Sequence, residues 1–296
     1  YYRESLAMAR LCRELFGSVP IVMGGSHATM HPETLLGTLV DFVLCGEAED
    51  SIVALIRALC GEQTFAEVPG LVYLDGQRLL RNRQESPELA TIALPDLSSL
   101  PVEQYSFGRS PMTFLITSRS CPHRCSFCSI HAVFGKDYRM RQVTDILDEI
   151  QLRYSQGYRH FDIEDDNFTV NKADVKVLLR RIIDLALPLT FSAMNGLSYI
   201  SLDEEILSLM RRAGFSHLNL ALVSADEIVR RMTERPHTLD RFYQVLEVAS
   251  RLGFRTTVYF IIGLPGQTLA SMCRTLKVIA REQCLPGVFL FYYTPG

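Results

Sequence analysis

The regular alternation of short apolar segments with helical segments is the feature that most constrains the fold of this chain. Between residues 111 and 296, six apolar segments recur, and segments with helical periodicity fill the gaps. Parallel strands need a crossover connection of a dozen or more residues, which is usually a helix. We therefore expect an α/β fold with parallel strands near residues 113–117, 160–164, 189–193, 217–222, 255–262 and 288–293.

The helical segments of this region carry signals of their own. One helical face is formed by apolar residues at helical spacing, namely Val143, Ile146, Leu147, Ile150 and Tyr154. Ser201-Leu202-Asp203-Glu204 predicts a capping box, and Gly214 is the matching helix stop. Six strand–helix units in about 185 residues predict a partial (β/α)6 barrel of the TIM type, with its active site at the carboxyl ends of the strands.

The first 60 residues show a similar alternation and predict a separate unit. The expected elements are helices over 4–16, 32–39 and 47–59 and strands over 19–23 and 41–44. This order predicts parallel strands in a partial Rossmann-like sheet. Residues 61–110 differ, because two short apolar segments flank Asp75-Gly76 and predict a hairpin, while the prolines beyond them predict a linker.

Charge and hydropathy exclude several classes of protein. The net charge of −3 argues against a protein that binds nucleic acid through a general basic field. The longest apolar run, near residues 258–264, is far shorter than a transmembrane segment. Eight cysteines without a disulfide-scaffold pattern favour a reducing, cytoplasmic setting. The chain starts at Tyr1 and stops within a motif, so we expect it to be cut at both ends.

The strongest chemical signal is the run Cys121-Pro-His-Arg-Cys125-Ser-Phe-Cys128, which follows the first predicted barrel strand. Three thiolates on one short loop can hold three irons of a 4Fe-4S cluster and leave the fourth iron open for chemistry. The alternative is a structural zinc site completed by His123 or His131, although zinc loops prefer pairs of cysteines two residues apart. A ferredoxin-like electron carrier needs a fourth cysteine and fits less well.

Two further segments follow predicted strands. Four acids lie within five residues at the end of the second barrel strand, namely Asp162, Glu164, Asp165 and Asp166. Such a group can bind an ammonium group, or it can be a solvated loop rim. Gly263, Pro265 and Gly266 end the fifth strand and would let the backbone approach a flat ring closely, unless they form an ordinary turn.

The cysteine spacing after the first strand of such a barrel resembles the radical S-adenosylmethionine (SAM) superfamily, over residues 111–296. The resemblance implies that Cys121, Cys125 and Cys128 ligate the cluster and that Phe127 lies beside the SAM adenine. It also implies SAM contacts from residues at the ends of later strands, namely Glu164, Asp165, Asp166, Asn167, Ser192, Ser224, Ile262 and Gly263. Two positions depart from the pattern: Gln267 stands where the family usually has Glu, and the Glu that often precedes Ser224 is absent.

A second resemblance lies at the front of the chain. Gly24-Gly25-Ser26-His27 after a predicted strand, followed by the segment 41–47, resembles the later half of a cobalamin-binding domain. A Gly-Gly turn after a parallel strand admits a nucleotide tail close to the backbone. The resemblance implies a truncated cobalamin-binding domain over 1–60, a hairpin and linker over 61–110, and the radical SAM barrel over 111–296.

Together these resemblances imply a radical SAM enzyme with a 4Fe-4S cluster, SAM and cobalamin as cofactors. We expect cleavage of SAM to a 5′-deoxyadenosyl radical and methyl transfer to an unactivated carbon. The alternatives are a cobalamin-associated cyclase, rearrangement or oxidation without methylation, and a sensor without turnover. The substrate would be a small molecule or lipid, and the electron would come from an external donor such as a flavodoxin or ferredoxin. No nucleic-acid partner and no transmembrane segment are expected.

Overall fold

The computed structural model describes residues 2–37, 39–235 and 237–292. Contacts between residues group the chain into two units, one formed by residues 2–93 with 129–137 and the other by residues 94–128 with 138–292. Each unit has an apolar core of its own, so each is described separately.

The first unit is a small four-stranded sheet with helices. Its helices are α1 (Tyr2–Phe16), α2 (Ser26–Met30), α3 (Glu49–Leu59) and α4 (Ile130–Phe134). Its strands are β1 (Val22–Met23), β2 (Phe42–Leu44), β3 (Leu71–Asp75) and β4 (Arg78–Arg81), in the order β1-β2-β3-β4. β1 and β2 are parallel, as predicted, and the predicted hairpin adds β3 and β4 antiparallel.

Side chains alternate between the two faces of this sheet and pack against different helices. Val43 packs in one apolar cluster with Ala9 of α1 and Ala28 of α2. The next residue of β2, Leu44, packs in the other cluster with Leu55 of α3. Because neighbouring residues of a strand point to opposite faces, helices cover both faces of the sheet, as in a Rossmann-like unit.

The predicted helix over 32–39 is wrong. Pro32 begins only a single 3-10 turn, Pro32–Thr34, and Leu36 then forms a bridge with Val40. Gly37 lies between them with a positive φ of 138°, which a continuing helix cannot contain. The helix that follows β1 is instead α2, which begins directly after the Gly24-Gly25 turn.

The second unit contains the longer series of strands and helices. Its strands are β5 (Ser106–Phe107), β6 (Ser110–Leu115), β7 (Ser118–Arg119), β8 (Arg139–Met140), β9 (His160–Ile163), β10 (Thr190–Ser192), β11 (His217–Val223), β12 (Arg255–Ile262) and β13 (Leu285–Leu290). Its helices are α5 (Val143–Ser155), α6 (Lys172–Asp184), α7 (Glu204–Ala213), α8 (Glu227–Met232), α9 (Leu239–Arg251) and α10 (Leu269–Arg281).

Six of these strands are parallel and confirm the predicted partial barrel. β6, β9 and β10 pair in parallel, and so do β11, β12 and β13. Parallel bridges from Phe191 to Phe215 and from Leu197 to Leu220 join the two sets between β10 and β11. The resulting order is β6-β9-β10-β11-β12-β13, with helices in the connections.

The strands place apolar residues outward and polar residues inward. Phe161 and Ile163 of β9 lie in the main core with Ile146 of α5. His160 and Asp162 alternate with them and therefore point to the opposite face, the inside of the partial barrel. Both polar residues are nonetheless buried, with 2% and 4% of their surface exposed.

Two local predictions in this unit need correction. The N-cap of α7 is Asp203, whose carboxylate accepts from Ile206 N at 2.8 Å, whereas Ser201 is buried against Thr169 and Ser198. Ser201 therefore does not open a capping box. The predicted stop at Gly214 is confirmed, because its φ is 110° and a Cβ there would lie 2.4 Å from Leu189 O.

The last strand begins at Leu285, three residues before the predicted start. Pro286 and Gly287 weaken the strand signal of this segment. Gly287 nevertheless suits its position, since a Cβ there would lie 2.1 Å from Cδ1 of Tyr259. The predicted end of this strand, at Tyr293, lies outside the described residues.

Candidate active site

The three cysteines of the motif lie in a loop that follows β6 and β7, where parallel strands present their carboxyl ends. None of the three forms a disulfide within the described residues. Cys128 N donates to Cys125 O at 3.0 Å, which closes a turn between two of them. Burial raises the pKa of the Cys125 thiol, Arg235 lowers it, and the charges of Cys128 and Cys121 raise it again. Cys121 and Cys128 therefore both lie near the thiol of Cys125.

A single metal ion needs at least three ligand side chains grouped around one point. Among residues 2–37, 39–235 and 237–292, no three His, Cys, Asp or Glu side chains are arranged to hold one metal ion. A 4Fe-4S cluster differs from a single ion, because each of its irons takes its own thiolate. The assignment of Cys121, Cys125 and Cys128 as ligands stays a prediction.

The segment before the cysteines is held by a buried carboxylate. Asp165 is 3% exposed. Thr117 N donates to its Oδ1 at 2.7 Å, and Thr117 Oγ1 and Ser118 Oγ donate to its Oδ2 at 2.5 and 2.6 Å. Burial raises the pKa of Asp165, although these hydrogen bonds lower it. Both carboxylate oxygens are thus used to fix the entry to the cysteine loop.

Asp166 and Asn167, which follow Asp165, bind the next residues of the segment that leads into the cysteine loop. Ser120 N donates to Asp166 Oδ2 at 3.0 Å, and Asn167 Nδ2 donates to Cys121 Sγ at 3.6 Å. Ser120 is fully buried and has a φ of 67°, so Asp166 supports a backbone conformation that is unfavourable for serine. We call Asp165, Asp166 and Asn167 the loop clamp. Their predicted contacts with SAM stay predictions.

The other acids of this run face the inside of the barrel. Asp162 accepts from Ser192 Oγ at 2.6 Å, and Ser192 Oγ also lies 2.9 Å from Nε2 of His160. Glu164 accepts from Asn195 Nδ2 at 3.0 Å. Burial and a hydrogen bond with Asp162 raise the pKa of Glu164. This polar network places Glu164 and Ser192 in one connected group.

The motif aromatic packs against a small apolar cluster that includes one residue of the turn after the fifth barrel strand. The cluster consists of Val223, Val229 and Leu264, and Phe127 and Ile261 both pack against it. The loop is also attached to the end of α8, because Ser126 Oγ donates to Met232 O at 3.2 Å. Phe127 thus shares an apolar cluster with Leu264 of the glycine-rich turn, and their joint role in an adenine site stays a prediction.

Gln267 holds this turn in shape. Its Oε1 accepts from Gly263 N at 2.8 Å and from Leu264 N at 3.2 Å, while its Nε2 donates to Ile261 O at 3.1 Å. Gly263 has a φ of 85°, and no atom lies within 4 Å of where its Cβ would be. The backbone beside Ile262 is thus open to an approaching group. The amide of Gln267 both accepts and donates hydrogen bonds here, whereas an ionised carboxylate could only accept them.

Ser224 lies behind the site rather than on its surface. It is fully buried, accepts from Asp226 N at 3.1 Å and lies 3.3 Å from Thr275 Oγ1. Its carbonyl accepts from the buried Arg230. Nothing in the sequence spacing of Arg230 indicates that it is buried beside Ser224.

In the first unit, the four predicted cofactor residues are exposed: Gly24 and Gly25 lie in the turn after β1, and Ser26 and His27 begin α2. Gly25 has a φ of 97°, and no atom of the described residues lies within 4 Å of its Cβ position. His27 Nε2 lies 3.1 Å from Thr34 Oγ1, and its ring lies 4.6 Å from that of Tyr2. Gly24 and Ser26 are also exposed. The turn is accessible, and His27 has protein partners.

Known proteins resemble this chain over nearly its whole length. An uncharacterized methyltransferase of Pyrococcus horikoshii is 26% identical over 93% of this chain and 60% of its own length. An anaerobic magnesium-protoporphyrin IX monomethyl ester cyclase of Rubrivivax gelatinosus is 26% identical over 91% of this chain and 50% of its own. The chain therefore spans about half of these longer proteins.

The fold also matches a solved structure. The radical SAM methyltransferase TsrM from Kitasatospora setae, solved with tryptophan substrate and a SAM analog, has a TM-score of 0.82 and 20% identity, covering 95% of this chain and 57% of TsrM. The same protein has been solved with cobalamin and a 4Fe-4S cluster bound.

No helix within the described ranges is long and apolar enough to cross a membrane. Residues 115–279, more than half of the chain, match the model of the radical SAM superfamily, and the chain belongs to that superfamily.

Proposed function

We propose that this chain is the catalytic part of a radical SAM enzyme, with a 4Fe-4S cluster held by Cys121, Cys125 and Cys128. The observation that carries this proposal is the cysteine loop itself: three closely spaced cysteines follow the first strand of a parallel barrel, and a buried clamp fixes the loop's entry. Family membership supports iron over the zinc site that the sequence left as an alternative.

The residues present fit such a cluster. Soft thiolates are the ligands that iron–sulfur clusters use, and three of them leave one iron for SAM. The amide of Asn167 supplies a hydrogen-bond donor to one of the sulfur atoms. When bound, the cluster supplies the single electron that cleaves SAM to methionine and a 5′-deoxyadenosyl radical.

The chain's own residues would bind and orient SAM. Phe127 and the open backbone at Ile262 and Gly263 are suited to the two sides of a flat adenine. Glu164 and the polar network around Ser192 would face the polar parts of SAM or substrate inside the barrel. A site enclosed by the barrel would also keep water from a reactive radical.

We further propose that residues 1–60 are the later part of a cobalamin-binding domain and that 61–110 connect it to the barrel over 111–296. The βα order, the accessible Gly24-Gly25 turn and the likeness to TsrM, which has been solved with cobalamin, support this assignment. His27 would lie near the nucleotide tail.

The expected outcome is methyl transfer to an unactivated carbon of a small molecule or lipid. The name of the Pyrococcus relative favours a methyltransferase. The Rubrivivax relative favours a second candidate, a cyclase that uses the same radical without methylation. An external donor such as a flavodoxin or ferredoxin would supply the electron. The eight cysteines, none of which forms a disulfide within the described residues, support a reducing, cytoplasmic setting.

The test is to reduce the anaerobically reconstituted protein with SAM present and to quantify 5′-deoxyadenosine, with Cys125→Ala as the inactive variant. Cys60→Ala is the matched control, since Cys60 is an exposed thiol in the first unit. We expect 5′-deoxyadenosine from wild type and Cys60→Ala only. Its absence from wild type with a bound cluster would overturn the enzyme proposal in favour of a sensor. Methyl label from SAM in a product would separate methylation from cyclisation.

A further inference from the structure

Asn167 has an unusual environment for an asparagine. It is 4% exposed, and its Nδ2 donates to Cys121 Sγ at 3.6 Å. Its Oδ1 is buried and has no hydrogen-bond partner among the described residues. A buried acceptor without a partner is destabilising, so an apolar side chain of the same size would be the more stable choice here. The hydrogen bond to sulfur is therefore the interaction that an amide can make at this position and an apolar side chain cannot.

The position of this amide is fixed by its neighbours. Asp165 and Asp166 bind the backbone at Thr117 and Ser120, directly before Cys121. Phe168, on the other side of Asn167, is 2% exposed and lies in the main core. The two segments thus run side by side, and the amide of Asn167 lies against the sulfur of Cys121.

The orientation of the amide follows from the chemistry of sulfur. A thiolate that ligates iron has no proton and can only accept a hydrogen bond. If the amide were turned over, its carbonyl oxygen would face the sulfur, and two acceptors would be in contact. The N–H group therefore faces Cys121 whenever this cysteine is a cluster ligand.

A hydrogen bond to a cluster sulfur affects the two redox states unequally. Reduction adds negative charge that is spread over the cluster and its thiolates. An N–H donor stabilises the more negative, reduced state more strongly, and hydrogen bonds to sulfur are among the factors that set the reduction potential of such clusters.

We propose that Asn167 is a positioning residue for the cluster, whose N–H···S bond to Cys121 raises the cluster's reduction potential. This inference rests on the proposed function and deepens it, because it assigns Asn167 to the cluster rather than to the amino group of SAM. The role is electrostatic, so it is separable from any effect on folding or on SAM affinity.

The test is a redox titration of the reconstituted protein, followed by EPR in the absence of SAM. Asn167→Leu keeps the approximate volume and removes the donor, while Asn167→Asp replaces the N–H by an oxygen. Asn171→Asp makes the same chemical change at the partly exposed N-cap of α6: it keeps an acceptor for Asp174 N and loses the amide donor to the Asp174 carboxylate. Iron and sulfide content are measured for every variant.

We expect clusters of normal iron content with more negative potentials in both Asn167 variants, most negative in Asn167→Asp because of its added charge. Asn171→Asp should match wild type. If Asn167→Leu does not assemble a cluster, Asn167→Asp carries the test. Wild-type potentials in the Asn167 variants would overturn this inference alone, and weaker SAM binding at that unchanged potential would assign Asn167 to SAM. A wild-type protein without a 4Fe-4S cluster would overturn the proposed function as well.

Discussion

Asp165 provides the sharpest test of the loop clamp, because its carboxylate is buried and accepts three hydrogen bonds from the segment before the cysteines. In Asp165→Ala all three bonds to Thr117 and Ser118 are lost, and the buried N–H of Thr117 is left without a partner. Hydrogen bonds to a charged group contribute about 1.5–3 kcal/mol each, and an orphaned buried donor costs about 1–3 kcal/mol.

The removal of a buried charge offsets part of this loss. Burial raises the pKa of Asp165, which shows that the charged form is disfavoured by its surroundings. We therefore expect a net loss of about 3 kcal/mol, close to the values for breaking other buried charged contacts. Asp165→Asn should lose only about 1 kcal/mol, since its Oδ1 can still accept from Thr117 N and both hydroxyl groups can rotate to accept from its amide.

Scanning calorimetry of the cluster-free protein is the assay, because it resolves the melting of the two units. For a unit of this size, about 3 kcal/mol corresponds to a decrease in Tm of about 6–12 °C, and about 1 kcal/mol to 2–4 °C. The exposed Asp148 of α5 is the matched control, and Asp148→Ala should leave Tm nearly unchanged. A Tm for Asp165→Ala within about 2 °C of wild type, or equal losses in Asp165→Ala and Asp165→Asn, would refute the clamp.

Three further predictions follow from the same region and the barrel interior. Burial raises the pKa of Asp166 from 3.8 to about 6, so the contribution of its protonated form to stability is complete below pH 3.8 and is lost as the pH rises through 6. Between pH 4 and 7, the unfolding free energy of wild type should therefore fall by about 1 kcal/mol relative to Asp166→Asn, after solvent screening. Urea titrations at each pH measure this difference. Gln267→Ala removes three hydrogen bonds from the glycine-rich turn and should lower the unfolding free energy by about 2 kcal/mol in calorimetry. Gln267→Glu keeps the two acceptor contacts and should cost less than half of that. Equal losses in the two variants would contradict the role of Gln267 in holding the turn. Gly287→Ala places a Cβ against the ring of Tyr259 and should lower the unfolding free energy by about 2 kcal/mol. In a Tyr259→Leu background the same substitution should cost much less. Additive losses in the double variant would show that the ring is not the obstacle.

Much of the fold could be predicted because local patterns are strong. Alternating strands and helices gave the parallel order of the barrel, and the spacing of Ile146, Leu147 and Ile150 gave the buried face of α5. The helix over 32–39 could not be predicted correctly, since the positive φ of Gly37 becomes visible only in the structure. The N-cap of α7 is Asp203 and not the predicted Ser201, because the Ser201 hydroxyl binds that of Thr169 instead.

The site was predictable where its chemistry lies in one short segment. The cysteine motif and the glycine-rich turn are both contiguous, and Phe127 packs against the apolar cluster that includes Leu264 of that turn. The roles of Asp165 and Asp166 were not visible, because their partners Thr117 and Ser120 lie more than 40 residues earlier in the chain. Acids at a strand end look alike in sequence whether they bind a cofactor or a loop.

The central claim is that Cys121, Cys125 and Cys128 hold a 4Fe-4S cluster with one iron open to SAM. The most direct measurement is the EPR spectrum of the reduced, reconstituted protein with and without SAM, together with its iron content. We predict four irons per chain and a spectrum that changes when SAM is added, both lost in Cys121→Ala, Cys125→Ala and Cys128→Ala and both retained in Cys60→Ala and Cys273→Ala. Bound zinc, or a cluster spectrum that SAM leaves unchanged, would contradict the account.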